Sequence, residues 1–260
     1  MVLKMFQIDA FSNRIFGGNP AAVIPLDDWL DDEIMLNIAE ENNLSETAFL
    51  VKRSQNQYDL RWFTPNKEVD LCGHATLASA HYLFESNSAT KEIEFSTRSG
   101  ILTVEALGHN AYLMEFPSDN PTKIDNTQEI LDCLNIQGEV YEGKDDYIVV
   151  LQSQKEVEDC QPDFYAMKQL PKRGIIITAQ SDSCHVVSRC FYPKYGIDED
   201  PVTGSAHTLI TPYWAIQLKR NQLNCKQLSK REGSLKCIYK GKKTTIIGSA
   251  TTYLAGIIHL

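Results

Sequence analysis

The sequence predicts an α+β chain made of two similar halves, each a set of strands around one enclosed helix. Three observations predict it. Short strand-like segments recur from one end of the chain to the other, and two helical segments are small or apolar nearly all round. Both helical segments begin Gly-X-Ala, as Gly73-His74-Ala75 and Gly204-Ser205-Ala206, and aligning those glycines superimposes the halves.

The strand segments of the first half are "VLKMFQIDAF", "AAVIPL", "TAFLV", "YDLRWF", "EIEF", "ILTVEAL" and "AYLMEF". They are rich in aromatic and β-branched residues and are parted by Gly, Pro, Asn and Ser, as strands require. The second half repeats the style with "DYIVVL", "RGIIITA", "CHVVSRCF", "LKCIYK", "TTIIGSA" and "YLAGIIHL". "DDEIMLNIAEENN" reads as an amphipathic helix with three acids at its N-terminal end, where the macrodipole favours negative charge. "GHATLASAHYLF" (73 to 84) and "GSAHTLITPYWAIQL" (204 to 218) offer no polar face to water, so each is expected to be wrapped by other structure. Pro212 should bend or reset the second of them. The polar stretch "PSDNPTKIDN" (117 to 126) is the natural linker. It divides a first half, 1–116, from a second, 117–260, whose C-terminal strand is free to pack back onto the first.

Composition narrows the function. The chain has 260 residues, 43% hydrophobic and 23% charged, as a soluble globular protein has. A net charge of -9 argues against nucleic acid or an anionic membrane as partner, although a locally positive site for a small anion stays open. No apolar run approaches the roughly 20 residues that span a bilayer. Seven cysteines without a C-x-x-C pair suit a reduced compartment, and with no secretory pattern at the N-terminus the expected location is cytoplasmic. G-x-G-x-x-G, G-x-x-x-x-G-K-[ST] and G-x-S-x-G are all missing, which removes the common nucleotide and serine-hydrolase signatures.

The helix starts are where chemistry is expected. The first N–H groups of a helix lack partners within it and, with the macrodipole, attract anions; Gly73 and Gly204 let a ligand approach the backbone. If the halves face each other, a small carboxylate is held without an arginine cluster. Asp200, biased to extended backbone by Pro201, would reach the start of the second helix beside Ser205. The pattern equally allows Asp200 merely to favour the helix dipole and Ser205 merely to cap it. Glu46 precedes the apolar strand "TAFLV", a partly desolvated setting suited to proton transfer, though an exposed loop carboxylate reads the same. His74, at the helix start, is expected to be neutral there or simply structural. Asp70, Cys72 and His74 resemble a metal cluster, but without a second group at ligand spacing no metal is expected. Cys72 alone is as easily packing as chemistry.

Four stretches together resemble the PhzF-type phenazine-biosynthesis family: "DAFSNRIFGGNPAAVI", "ENNLSETAFL", "LRWFTPNKEVDLCGHATLASAHYL" and "GIDEDPVTGSAH". The resemblance implies the diaminopimelate-epimerase-like fold, two pseudo-symmetric halves with a sheet or barrel around each central helix and the active site between them. It also implies a homodimer and a cofactor-independent isomerase, like the member that isomerises trans-2,3-dihydro-3-hydroxyanthranilate on one carboxylic acid. Carried over by motif, Glu46 of "NLSET" is the general acid/base, and His74 and Asp200 assist it. Gly73, Gly204 and Ser205 position a small carboxylate substrate. Related epimerases use two facing cysteines, but Thr203 stands where Cys72 needs its partner, which disfavours a two-base racemase. An amino- or hydroxy-acid epimerase remains the alternative enzyme, and a metabolite-binding module with a lapsed site the alternative of another class. Many members read "GSAHC" where this chain has Thr208, a change expected to affect packing.

Overall fold

The opening hairpin shows how closely the backbone packs. Strand β1 (Val2–Ala10) returns as β2 (Asn19–Leu26), with Phe6 opposite Val23 and Ala10 opposite Asn19. Between them Gly18 adopts φ +63, and a Cβ there would collide with the Ala10 carbonyl oxygen. A left-handed conformation costs an L-residue about 1–2 kcal/mol, and overpacking adds roughly 1–3. Gly18→Ala is therefore expected to lower the urea midpoint by an amount equivalent to about 2–4 kcal/mol.

The computed structural model describes residues 1–86 and 91–260, which form two compact units, Met1–Glu115 with Ile247–Leu260 and Phe116–Ile246. The second unit thus ends at Ile246, and residues 247–260 count with the first.

In the first unit α1 (Asp32–Asn42) leads to β3 (Glu46–Lys52), β4 (Gln57–Phe63) and β5 (Glu68–Val69). The central helix α2 (Gly73–Ser86) precedes β6 (Glu92–Thr97), β7 (Gly100–Gly108) and β8 (Ala111–Pro117). Acids at Asp31, Asp32 and Glu33 begin α1, and Asn43, left-handed at φ 48, ends it. The strands pair in the series β1-β2-β3-β4-β6-β7-β8, with β2–β3 and β4–β6 parallel. The last strand, introduced below, pairs with both β8 and β1, so the ring closes on eight strands. Residues 74–81 of α2 are all buried and the helix packs on β1, β2, β3 and β7, as a stretch without a polar face must. α1 covers the outside, where Met35 and Ile38 join Ile24, Phe49 and Phe63 in a second apolar cluster.

The second unit holds β9 (Thr122–Lys123), α3 (Gln128–Asp132), β10 (Glu139–Glu142), β11 (Asp146–Val150), α4 (Gln154–Asp159) and α5 (Phe164–Met167). Then come β12 (Gly174–Gln180), β13 (Val186–Tyr192), β14 (Ile197–Asp200) and its central helix α6 (Gly204–Gln217). It ends with β15 (Gln222–Gln227) and β16 (Gly233–Tyr239), after which the chain turns at Gly241 into β17 (Lys243–His259), the strand that carries it back into the first unit. The pairing β10-β11-β12-β13-β15-β16 is antiparallel except at β11–β12 and β13–β15. That is the order of antiparallel and parallel pairs seen from β1 to β7, the physical content of the repeated Gly-X-Ala.

Pro212 does not reset the second central helix. α6 runs on through Pro212 without a break. Proline has no N–H for the carbonyl four residues before it, yet the Thr208 carbonyl accepts instead from the Asp119 backbone N–H at 3.1 Å. The freed acceptor is satisfied from outside the helix.

Candidate active site

Three of the residues singled out by motif meet inside the first unit. Glu46 opens β3, whose pairing with β2 places it opposite Ala21, and α2 starts at Gly73 and presents His74. The His74 Nε2 lies 3.1 Å from Glu46 Oε2, the two side chains only 7% and 13% exposed. The contact has the distance of an ion pair without the alignment of a hydrogen bond. On the other edge of the ring, His74 Nδ1 lies 3.3 Å from the Asn19 side-chain nitrogen and 3.5 Å from Cys72 Sγ. Glu46 is thus a strand-edge acid enclosed by the protein, the setting its place before "TAFLV" suggested.

His74 corrects the expectation of a helix-start imidazole kept neutral by the dipole. Burial pulls its pKa down, but the charges of Cys72 and Glu46 outweigh that, and the pKa stands well above its ordinary value. Cys72 is itself buried, which pushes its thiol up and away from thiolate. The imidazole thus sits between both groups, its Nε2 3.1 Å from the Glu46 carboxylate and its Nδ1 3.5 Å from the Cys72 thiol.

Glu46, Cys72 and His74 each bring a ligand-type atom within 4.8 Å of the others, a grouping that spacing alone did not anticipate because Glu46 is remote in sequence. Asp70, which spacing alone groups with Cys72 and His74, is largely exposed and faces Arg98. The imidazole divides its nitrogens, Nδ1 toward Cys72 and Nε2 toward Glu46, whereas a ligand set aims its donors at one centre. The arrangement fits proton exchange better than ligation.

At the start of α6 the second unit presents its own polar cluster. Asp200 ends β14 buried, and its carboxylate accepts the Thr203 hydroxyl. Gln227 ties the turn together: its Oε1 accepts the Thr203 N–H at 2.9 Å and its Nε2 donates to the Asp200 carbonyl at 2.8 Å. The helix begins at Gly204 with Thr203 at the N-cap position, so Ser205 does not cap it. The Ser205 Oγ instead accepts from Arg173 Nη2 at 3.1 Å. Arg173 grips Asp146 with both Nε and Nη2, and its guanidinium lies 4.7 Å from the Tyr192 ring centre. Burial raises the Asp146 pKa although Arg173 opposes it.

Arg173 and Asp146 were missed by the sequence. "KRG" and "KDD" look like turn residues before "IIIT" and "YIVV", and only the parallel pairing of β11 with β12, which sets Asp146 opposite Gly174, makes them neighbours. The start of the second central helix thus has a single arginine beside it. Because the Ser205 oxygen accepts from a cation, its own hydrogen is turned outward and polarised, suited to donate to an acceptor atom of a ligand.

His207 stands apart from Ser205, as residues two apart on a helix should. Its Nδ1–H donates to the Thr203 carbonyl at 2.8 Å, and complete burial pushes its pKa down to about 4. An ordinary histidine titrates near 6.5. A group depressed in the fold favours the native state above its unfolded pKa and withdraws that support as pH falls. Stability should decline from about pH 6.5 to pH 4, by about 3 kcal/mol for the full shift, and His207→Gln should flatten this slope in denaturant titrations at pH 7, 5.5 and 4.5.

Fold and site together define the class: an α+β protein of two like units, one carrying an enclosed carboxylate–imidazole pair at the start of its central helix, the other a serine, an aspartate and an ion pair at the start of its own. Residues 8–256 match the PhzC-PhzF family, described as phenazine biosynthesis-like protein, and the chain belongs to that family. It is 48% identical to an "uncharacterized isomerase" of Pseudomonas aeruginosa over 261 residues, covering all of both chains. The crystal structure of a PhzF-family phenazine biosynthesis protein from Enterococcus faecalis superimposes with a TM-score of 0.95 at 42% identity, again over the whole of both chains. A hydroxyproline epimerase from Agrobacterium vitis shares the fold alone, with a TM-score of 0.64 at 9% identity over 99% of this chain and 92% of that one.

Proposed function

We propose that this protein is a cofactor-independent isomerase that shifts a proton within a small unsaturated or cyclic carboxylate, with Glu46 as the general acid/base. The observation that carries the reading is the Glu46–His74 pair, a nearly buried carboxylate 3.1 Å from an imidazole whose pKa is raised. The raised imidazole keeps positive charge beside Glu46, so the carboxylate is available to take a proton next to the unsaturated system. Protonated Glu46 then returns the same proton at a different carbon, and no net proton is gained or lost. Ser205, primed by Arg173, is assigned to an acceptor atom of the substrate, and Asp200 to its polar groups. Gly73 and Gly204 are each assigned to let an anion approach the N–H groups of its own helix start. The printed name of the Pseudomonas aeruginosa relative supports an isomerase.

A racemase with two thiol bases is less well supported. Burial pushes Cys72 away from thiolate, and Thr203 stands at the matching position before α6. The test is proton NMR in heavy water with dihydrohydroxyanthranilate and a panel of cyclic and amino carboxylates, comparing wild type with Glu46→Gln. Isomer formation or deuterium uptake by wild type alone supports the proposal. Exchange confined to the α-carbon of an amino acid favours the epimerase, and binding without exchange in either protein favours a ligand-binding module.

A further inference from the structure

The motif "FGGNPAAVI" carries no role in the acid/base scheme, yet the fold delivers its asparagine to the scheme's centre. Asn19 is fully buried as the first residue of β2, and its side-chain nitrogen lies 3.3 Å from His74 Nδ1. Several features of the preceding loop serve that placement. The Asp9 carboxylate accepts the Phe16 N–H at 2.8 Å, and Gly18 takes a conformation and a closeness to Ala10 that only glycine tolerates. Phe11 adopts φ 62 with its ring buried against Gly248, where any side chain would strike it. Two left-handed phenylalanines, Phe11 and Phe16, within one loop are strained backbone, held only because the surroundings over-determine them.

The chemistry of the contact follows from its donors. An amide N–H₂ only donates, so when the ring is neutral the Nδ1 it meets is its acceptor, whereas the charged ring carries hydrogen on both nitrogens and loses that bond. A neutral imidazole with an accepting Nδ1 carries its hydrogen on Nε2, and Nε2 is the nitrogen that faces Glu46. The Cys72 thiol, 3.5 Å from the same Nδ1, is a second and weaker donor to it.

Resting on the proposed role of the Glu46–His74 pair, we propose that Asn19 is a positioning residue whose amide fixes His74 in the Nε2–H tautomer, so that the movable hydrogen faces Glu46. Asn19 touches neither substrate nor the reacting carbon in this scheme. It acts through His74, and the glycine-rich loop exists to hold it there.

The test reads the ring directly and needs no substrate, so it separates this inference from the isomerase reading. Protein labelled with ¹⁵N on histidine is followed by long-range ¹H–¹⁵N correlation across the neutral and alkaline range, with His74 assigned by its loss in His74→Gln. Wild type is expected to show the Nε2–H pattern once the ring is neutral. Asn19→Asp, nearly the same shape, replaces the donor with an acceptor and should convert His74 to Nδ1–H. An Nδ1–H pattern in wild type overturns the proposal, because the amide would then be accepting. So does an Nε2–H pattern that persists in a folded Asn19→Asp. If Asn19→Asp does not fold, Asn19→Ser at the same position provides the comparison, with a mixed or shifted tautomer expected and an unchanged one counting against the role.

Discussion

Glu46→Gln is expected to reduce isomerisation, or deuterium uptake from heavy water, by a factor on the order of 10²–10⁴, the contribution of a positioned general acid/base. The amide keeps the size of the carboxyl group but can neither take nor return a proton. Folding should survive, because Glu46 sits at the start of β3 and its backbone pairing with β2 does not depend on the side-chain charge. His74 should respond as well: without the carboxylate 3.1 Å away, burial dominates and its pKa falls. A variant that loses activity while His74 titrates as in wild type would contradict the pairing. One that keeps its rate would remove Glu46 from the chemistry.

Asp146→Ala is expected to cost both stability and substrate affinity. Asp146 is 4% exposed at the side chain, and its partner Arg173 is 31% exposed. Removing one member of a fully buried pair costs about 3–5 kcal/mol because the other charge is left stranded. Partial exposure of Arg173 lets water screen some of that, so about 2–3 kcal/mol is expected from urea titration. The same variant frees the guanidinium that holds Ser205, and KM should rise more than kcat falls. Changing both members to Leu and Met should recover much of the stability and none of the substrate affinity. Equal recovery of both would make the ion pair purely structural.

These two cases mark what the residues alone could tell. Glu46 and His74 were legible because a motif names them and because each sits where a strand or helix visibly begins. The duplication of a central helix among strands was legible from two helices without a polar face. Asp146, Arg173 and Asn19 were not, for a common reason: each gains its meaning from a partner distant in sequence. Asp146 and Arg173 meet through parallel pairing across α4 and α5, and Asn19 reaches His74 across 55 positions of chain. Nor could pattern alone show that the charges of Cys72 and Glu46 would outweigh burial at His74.

The return of β17 into the first unit has a consequence for how the chain acquires its shape during synthesis. The ring of β1 to β8 stays open until residues 247–260 have left the ribosome, by which point the whole of 116–246 has already emerged. The second unit, contiguous in sequence, can therefore condense first, while the one holding Glu46 waits as an unsealed sheet with β1 and β8 as bare edges. Closure over so long a separation is slow, and open edges invite pairing with other chains. Nascent chains stalled before residue 247 should thus aggregate through their N-terminal segment, and Glu46 and His74 come under a complete barrel only once the last strand has closed it.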